Sequence, residues 1–366
     1  MIRVLVIDDS AVMRTFLAGV VEAQPDMVLA GVVSDPLHAI DRIRKSAPDV
    51  ITLDVEMPRM NGLDFLRTLM AVRPLPVIMI SSHTREGADA TMRALELGAV
   101  DFFPKPDSLQ QLDTVAADIA EKIRAAAQAR VSRRRPLVAT ESAEPVGHRA
   151  VAGRVAARLP GLGRAAAREA VIGIGASTGG VEALRVVLAE LPDNMPPILI
   201  AQHMLPGFTL PFARRLDSIC KLRVKEAEDQ EEAFQGTAYI APGGRHLVLD
   251  RRAGRYVIRI TDDPPVNRHR PSVDTLLRSL ALVAGSQSIG LMLTGMGADG
   301  AEAMAVLRAA GGRTIAQDEA SCVVFGMPGK AIALGGVQEV LPLDDMAARL
   351  IELCGRERRP QDADPA

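Results

Sequence analysis

Five short apolar runs punctuate the first 127 residues: "RVLVI" at 3–7, "VLAGVV" at 28–33, "DVITL" at 49–53, "PVIMIS" at 76–81 and "VDFF" at 100–103. Each is followed by ten or so residues of amphipathic, helix-period pattern. This rhythm is the strongest constraint in the chain. Runs that apolar bury both faces of a sheet, and a helix between successive strands makes them parallel, so the expectation is a five-stranded parallel α/β domain. A second rhythm starts at "AVIGIG" (170–175) and runs through "PILIAQ", "TAYIAP", "HLVLD", "YVIRI", "SIGLMLT", "RTIAQD" and "GGVQEVL". Helical stretches are expected near 180–190, 206–217, 271–284, 298–310 and 342–354. That implies a larger, doubly wound α/β domain, with a short antiparallel excursion near 237–260 where no helix separates the strands.

Between the rhythms, positions 124–168 carry ten arginines against two glutamates, with much alanine. The expected organisation is a domain at 1–125, a flexible basic linker at 126–167, a second domain at 168–354 and a disordered tail at 355–366. The 366 residues, 48% hydrophobic, suffice for two cores. A net charge of −2 and 3% aromatic residues exclude nucleic acid as the main partner. Cys220, Cys322 and Cys354 lie far apart, with no spacing for a disulfide framework or a zinc site. The N-terminal apolar run is too short for a signal peptide and no run approaches a membrane span, so the expected location is cytoplasmic, without membrane insertion.

Ligands of open parallel sheets sit beyond the carboxyl ends of the strands. Asp8 and Asp9 end the first strand, Asp54 the third and Ser81 the fourth, and Lys105 follows the fifth. Three carboxylates at one edge repel each other unless a hard cation lies between them, and Mg²⁺ suits oxygen ligands. Singly, Asp8 and Asp9 read as helix caps and Lys105 as surface decoration. Together they make a pocket. Over residues 1–125 this pattern resembles the response-regulator receiver family, with its flavodoxin-like fold, including the loop "MPRMNG" at 57–62. The resemblance implies Asp54 as phosphoryl acceptor and Asp8, Asp9, Asp54 and the Glu56 carbonyl as Mg²⁺ ligands. It also implies Ser81 and Lys105 as the pair that grips the phosphoryl group, and Phe102 as the switch aromatic.

In the second rhythm, Ser177 follows "AVIGIG", His203 follows "PILIAQ" and Asp299 follows "SIGLMLT". A hydroxyl, an imidazole and a carboxylate thus leave separate strands at one sheet edge, the set needed for nucleophilic acyl transfer. Each has a plainer account: Ser177 as the cap of a helix near Gly179, His203 as a satisfied half-buried histidine, Asp299 as the cap of the helix after it. His246 and His269 compete as the base. "GMGADG" at 295–300 matches the dinucleotide-binding G-x-G-x-x-G in spacing, but Asp299 would oppose a pyrophosphate there.

Taken with "QHM", "APGGRHL", "HRPSVD", "LTGMGADG" and "CVVFGMP", "GASTGG" resembles the chemotaxis receptor methylesterase family over about 168–353. The resemblance implies Ser177 as nucleophile, His203 as base, Asp299 as its orienting acid, a Met296 backbone N–H at the oxyanion site and Thr178 lining it. It implies a phosphorylation-gated hydrolase of glutamate γ-methyl esters and certain glutamine amides on chemoreceptor helices. The hydrolysis uses no cofactor, and the phosphoryl donor is the chemotaxis histidine kinase. The alternatives are a non-catalytic receiver effector and a nucleotide-binding regulator using the "GMGADG" loop.

Overall fold

A computed structural model describes residues 1–57, 60–82, 84–105, 112–131 and 170–355. The N-terminal sheet contains β1 (Ile2–Ile7), β2 (Met27–Val33), β3 (Val50–Asp54), β4 (Val77–Ser81) and β5 (Asp101–Pro104). Its order is β2-β1-β3-β4-β5 and every pair is parallel. The valine- and isoleucine-rich central strands are buried throughout, as a sheet covered on both faces requires. The covering helices are α1 (Ala11–Glu22), α2 (Pro36–Ser46), α3 (Gly62–Val72), α4 (Arg85–Glu96) and α5 (Leu112–Gln128).

The second domain holds β6 (Val171–Ala176), β7 (Ile198–Gln202), β8 (Arg223–Glu226), β9 (Thr237–Ile240), β10 (His246–Arg252), β11 (Arg255–Thr261), β12 (Ser288–Met292), β13 (Arg313–Gln317) and β14 (Glu339–Leu341). Seven of these strands form a parallel sheet in the order β14-β13-β12-β6-β7-β9-β8. The helices are α6 (Gly180–Glu190), α7 (Thr209–Asp217), α8 (Val273–Val283), α9 (Ala301–Ala309), α10 (Met327–Ala333) and α11 (Met346–Gly355). β6 neighbours both β7 and β12, so the strand order reverses there. That reversal opens the crevice in which such sheets place ligands.

The antiparallel excursion is narrower than the sequence implies. β9 belongs to the main parallel sheet, and only β10 and β11 pair antiparallel, through a turn in which Ala253 and Gly254 take positive φ. The free edge of β11 is covered by the 230–233 segment: Gln230 N–H donates to Ile258 O and Ala233 N–H to Tyr256 O. Two elements have no counterpart in the pattern reading. β8 is a four-residue edge strand, "RVKE", too charged to stand out as an apolar run. α10 begins "MPG", which reads as a breaker, although proline is tolerated in a first helical turn.

The last helix of the N-terminal domain runs past the expected boundary at 125. α5 continues to Gln128, with Ala125 and Ala126 fully buried, because alanine favours helix as much as it resembles linker composition. Arg130 then reaches the second domain: its N–H donates to Val323 O at 3.3 Å and its guanidinium pairs with Glu319 at 2.7 Å. The rest of the expected linker, 132–167, and the tail from 356 lie outside the described residues.

Candidate active site

At the carboxyl edge of the N-terminal sheet, carboxylate oxygens of Asp8, Asp9 and Asp54 lie within 4.8 Å of one another. Asp8 and Asp54 are fully buried. The plainer account of the aspartates as helix caps fails, because Ser10 caps α1, its Oγ accepting the Met13 N–H. Lys105 Nζ lies 2.7 Å from Asp54 Oδ2 and 3.9 Å from Asp8 Oδ2. Burial, and after it the Asp8 carboxylate, push the Asp54 carboxyl up to about 7 despite this lysine. Glu56 follows β3, its N–H on Asp54 Oδ1 and its side chain accepting from Ser82 Oγ. Ser81 is at the edge, but its hydroxyl donates to Gly87 O at 2.9 Å and turns towards α4. Positions 58 and 59 of the "MPRMNG" loop lie outside the described residues.

At the second sheet's reversal point, Ser177, His203 and Asp299 leave the adjacent strands β6, β7 and β12. Backbone bonds lock the serine turn to both neighbours: His203 N–H donates to Ala176 O and Ser177 N–H to Thr294 O after β12, both at 3.1 Å. Gly295 must be glycine, since a Cβ there would lie 2.8 Å from Ser177 Cβ and 2.4 Å from Met327 Sδ. Ser177 is not a helix cap. Gly179, at φ 78°, caps α6 without a side-chain bond, and among the described residues Ser177 Oγ makes no hydrogen bond.

Asp299 is 3% exposed and holds His203 Nε2 at 2.8 Å. It does not cap α9, whose cap is Gly300; it faces the start of α8 instead. Oδ2 also accepts the Val273 N–H, while Oδ1 accepts Asn267 Nδ2 and Ser272 Oγ at 2.8 Å and the Asp274 N–H at 3.3 Å. Burial works to raise its pKa, but the His203 bond and charge, then Asn267 and Val273, outweigh it and hold Asp299 at about 2. Asp299 therefore stays ionised. With Nε2 committed, the only ring nitrogen left to His203 is Nδ1, which is buried and unpartnered among the described residues.

His246 is excluded as the base. It is fully buried; its Nδ1 accepts the Ser272 N–H and its Nε2 donates to Pro264 O, so it is a neutral structural histidine. Within the "GMGADG" loop the Asp299 carboxylate turns inward to His203, Ser272 and the Val273 N–H, so the loop's acid serves the histidine. The Met296 N–H donates to no acceptor among the described residues.

Thr178, expected to line the oxyanion site, turns its hydroxyl to the N-terminal domain. Its hydroxyl donates to Asp101 Oδ2 of the N-terminal domain at 2.7 Å, while Asp101 Oδ1 accepts Lys122 Nζ. Phe102, the next residue, is 6% exposed and its ring centroid lies 4.6 Å from that of Phe208. Arg215 forms a two-bond pair with Glu96 of α4, and Arg268 reaches Glu121 of α5 at 3.4 Å. The N-terminal domain thus packs its β5 and helical face beside the nucleophile turn. Burying a phenyl side chain contributes about 1.5–3 kcal/mol. The exposed ion pairs contribute no more than about 1 kcal/mol each.

Pattern reading does not assign Gln202, Asn267, Ser272 or Asp101. Gln202 Nε2 donates to the Ser177 and His203 carbonyls, fixing both turns from the end of β7. Ser272 lies inside the quoted "HRPSVD" and Asn267 two residues before it, so their neighbourhood carried a signal, but their pairing with Asp299, some thirty residues on, did not.

Comparison with known proteins agrees with this architecture. The family profile described as CheB methylesterase matches residues 172–350, and the response regulator receiver domain profile matches 4–117. A protein-glutamate methylesterase/protein-glutamine glutaminase of Pectobacterium atrosepticum is 52% identical over 352 residues, 96% of each chain. One from Salmonella typhimurium is 49% identical over 96% of each chain. The crystal structure of the Thermotoga maritima CheB methylesterase catalytic domain superimposes with a TM-score of 0.50 at 44% identity, covering 50% of this chain and 98% of that one. No helix among the described residues is long and apolar enough to cross a membrane.

Proposed function

The chain belongs to the CheB methylesterase family, with a response regulator receiver domain ahead of the catalytic one, and from that premise we propose how its own residues carry the activity. It is a phosphorylation-regulated protein-glutamate methylesterase and protein-glutamine glutaminase. Its substrates are glutamyl methyl esters and glutamine amides on the cytoplasmic helices of chemoreceptors, and a chemotaxis histidine kinase supplies the phosphoryl group. Receiver, linker and catalytic domain divide at about 131 and 170.

Ser177 Oγ attacks the γ-carbonyl carbon as His203 Nδ1 takes its proton. The tetrahedral oxyanion is held by backbone donors, Met296 N–H among them. His203 returns the proton to the leaving methanol or ammonia, leaving an acyl-serine, and a water deprotonated by His203 then hydrolyses it. Asp299 holds Nε2–H and stabilises the imidazolium. The observation that carries this reading is the 2.8 Å His203 Nε2–Asp299 bond beside a buried, unpartnered Nδ1 next to the serine turn. The experiment is methanol release from methylated receptor membranes with and without a small phosphodonor. Wild type is expected to accelerate with the donor, and Asp54→Asn to stay at the basal rate. Equal stimulation of both would remove Asp54 as the switch.

The acidic edge fits a hard divalent cation, since Asp8 Oδ2 is buried without a hydrogen-bond donor and three carboxylates converge. Asp8, Asp9 and Asp54 would hold Mg²⁺, with the Glu56 carbonyl, and the ion neutralises charge for phosphoryl transfer when bound. Folding raises the Asp54 pKa from 3.8 to about 7, so the cation-free fold binds the extra proton and loses stability as pH rises through that window. Protons also compete with the ion below it. Mg²⁺ should therefore raise the melting temperature at about pH 8 and progressively less towards pH 5.5. A pH-independent shift would contradict the raised carboxyl.

Gating runs through the Asp101–Thr178 contact and the tilted ring contact between Phe102 and Phe208. Phosphorylation draws Ser81 from Gly87 O to the phosphoryl oxygens, and the face carrying Phe102 repacks. Asp101→Ala should raise the unstimulated rate by roughly tenfold to a hundredfold, the worth of one charge-assisted hydrogen bond, and shrink the stimulation by the donor. An unchanged basal rate would show that this contact restrains nothing.

A further inference from the structure

His269, the competing base in sequence terms, lies flat against His203: ring centroids 3.8 Å apart, planes 12° from parallel. Its ring makes no hydrogen bond among the described residues, so it does not orient Asp299. It is delivered by an unusual turn. Val266 and His269 exchange both backbone hydrogen bonds, at 3.1 and 2.9 Å, and the two central residues, Asn267 and Arg268, have φ of 53° and 68°. Two successive positive φ values are the mark of a type I′ turn, usually made with Asn, Asp and Gly. Asn267 suits the first place; Arg268 at the second is strained. The strain has a local return: Asn267 Nδ2 reaches Asp299 Oδ1 at 2.8 Å while the His269 ring reaches His203. One turn thus holds both members of the base–acid pair.

We propose that His269 is a positioning residue for the hydrolysis, its ring fixing the plane of the His203 imidazole so that Nε2 stays on Asp299 and Nδ1 stays aimed at Ser177. The proposal rests on the reading of His203 as the base. An imidazole anchored through a single nitrogen can swing about its Cβ–Cγ bond, and a stacked ring on one face removes that freedom. The stack also suits the charged intermediate. When His203 becomes an imidazolium it faces a neutral ring, an attraction rather than a repulsion. His269 stays neutral because burial, then His203, push its pKa down to about 4, with Arg268 and Lys122 lowering it further and Asp299 opposing.

The test uses the full chain, activated by a small phosphodonor, with methanol release read as kcat and KM separately. His269→Ala is expected to lower kcat by roughly tenfold to a hundredfold with KM within about twofold, the scale of a slightly misplaced catalytic group. His269→Phe, which restores a planar face without ring nitrogens, should recover most of that loss. If His269→Ala melts early, His269→Leu takes its place, having bulk but no flat face, and must fall well below Phe. Phe as slow as Ala or Leu would assign a chemical role to the ring nitrogens and overturn the proposal. Full activity in Ala would overturn it equally. Failure of the His203 reading is separate: it would show as retained methanol release in His203→Gln, whatever the His269 variants do.

Discussion

Ser177→Ala is expected to reduce methanol release by about 10⁴-fold or more in kcat, with Asp54 phosphorylation and melting temperature unchanged. The scale follows from what is lost and what remains. Without Oγ no acyl-enzyme forms and His203 has no proton to take, while the backbone donors and the binding surface persist and leave a residual rate above that in water. Stability is spared because Ser177 Oγ caps no helix and bonds to nothing among the described residues. Substitutions of that kind stay within about 0.5 kcal/mol. Measured beside wild type on the same methylated membranes, a variant within about tenfold of wild type would remove Ser177 as nucleophile.

Asp299→Asn is expected to cost kcat about 10⁴-fold, and here some stability goes with it. The carboxylate accepts from five donors: Asn267, Ser272 and the Asp274 N–H on one oxygen, His203 Nε2 and the Val273 N–H on the other. An amide can accept on one side only. If its NH₂ group faces His203 it donates to Nε2, forcing the ring proton onto Nδ1, the nitrogen that must receive the proton of Ser177. It also meets the Val273 N–H head on. If the NH₂ faces the other way it opposes the Asp274 N–H, and Asn267 and Ser272 must reorient to present oxygens. Either orientation leaves buried donors unsatisfied, at about 1–3 kcal/mol each. The informative pair is therefore kcat against the melting curve. Near-wild-type kcat in a folded Asp299→Asn would show that the tautomer is set by something else.

How far the sequence carried this reading differs from residue to residue. Strands with both faces buried, such as Val50–Asp54 and Val171–Ala176, stand out as apolar runs. The charged edge strand Arg223–Glu226 and the Pro-Gly start of Met327–Ala333 do not, because pattern measures burial and local propensity, and both elements lie at margins where each is weak. The end of α5 was hidden by alanines that serve a helix and a linker equally well. Gln202 and Asn267 could not be singled out, since an amide's role depends on the acceptor it meets.

The sequence by itself determined the two α/β rhythms and which polar residues, Asp8, Asp54, Ser177, His203 and Asp299, stand at the carboxyl ends of their strands. Strand periodicity alone dictates that, being written in neighbouring residues. The tertiary structure decided which ends meet: β12 beside β6 and β6 beside β7, so that Asp299 takes His203 Nε2 and leaves Nδ1 unpartnered among the described residues. It also decided that His269 stacks where it competed as a base, that Thr178 answers to Asp101, and that Phe102 rests on Phe208. Those pairings join residues far apart in the chain, and they are set by how the whole apolar surface is buried, a condition that no local spacing records.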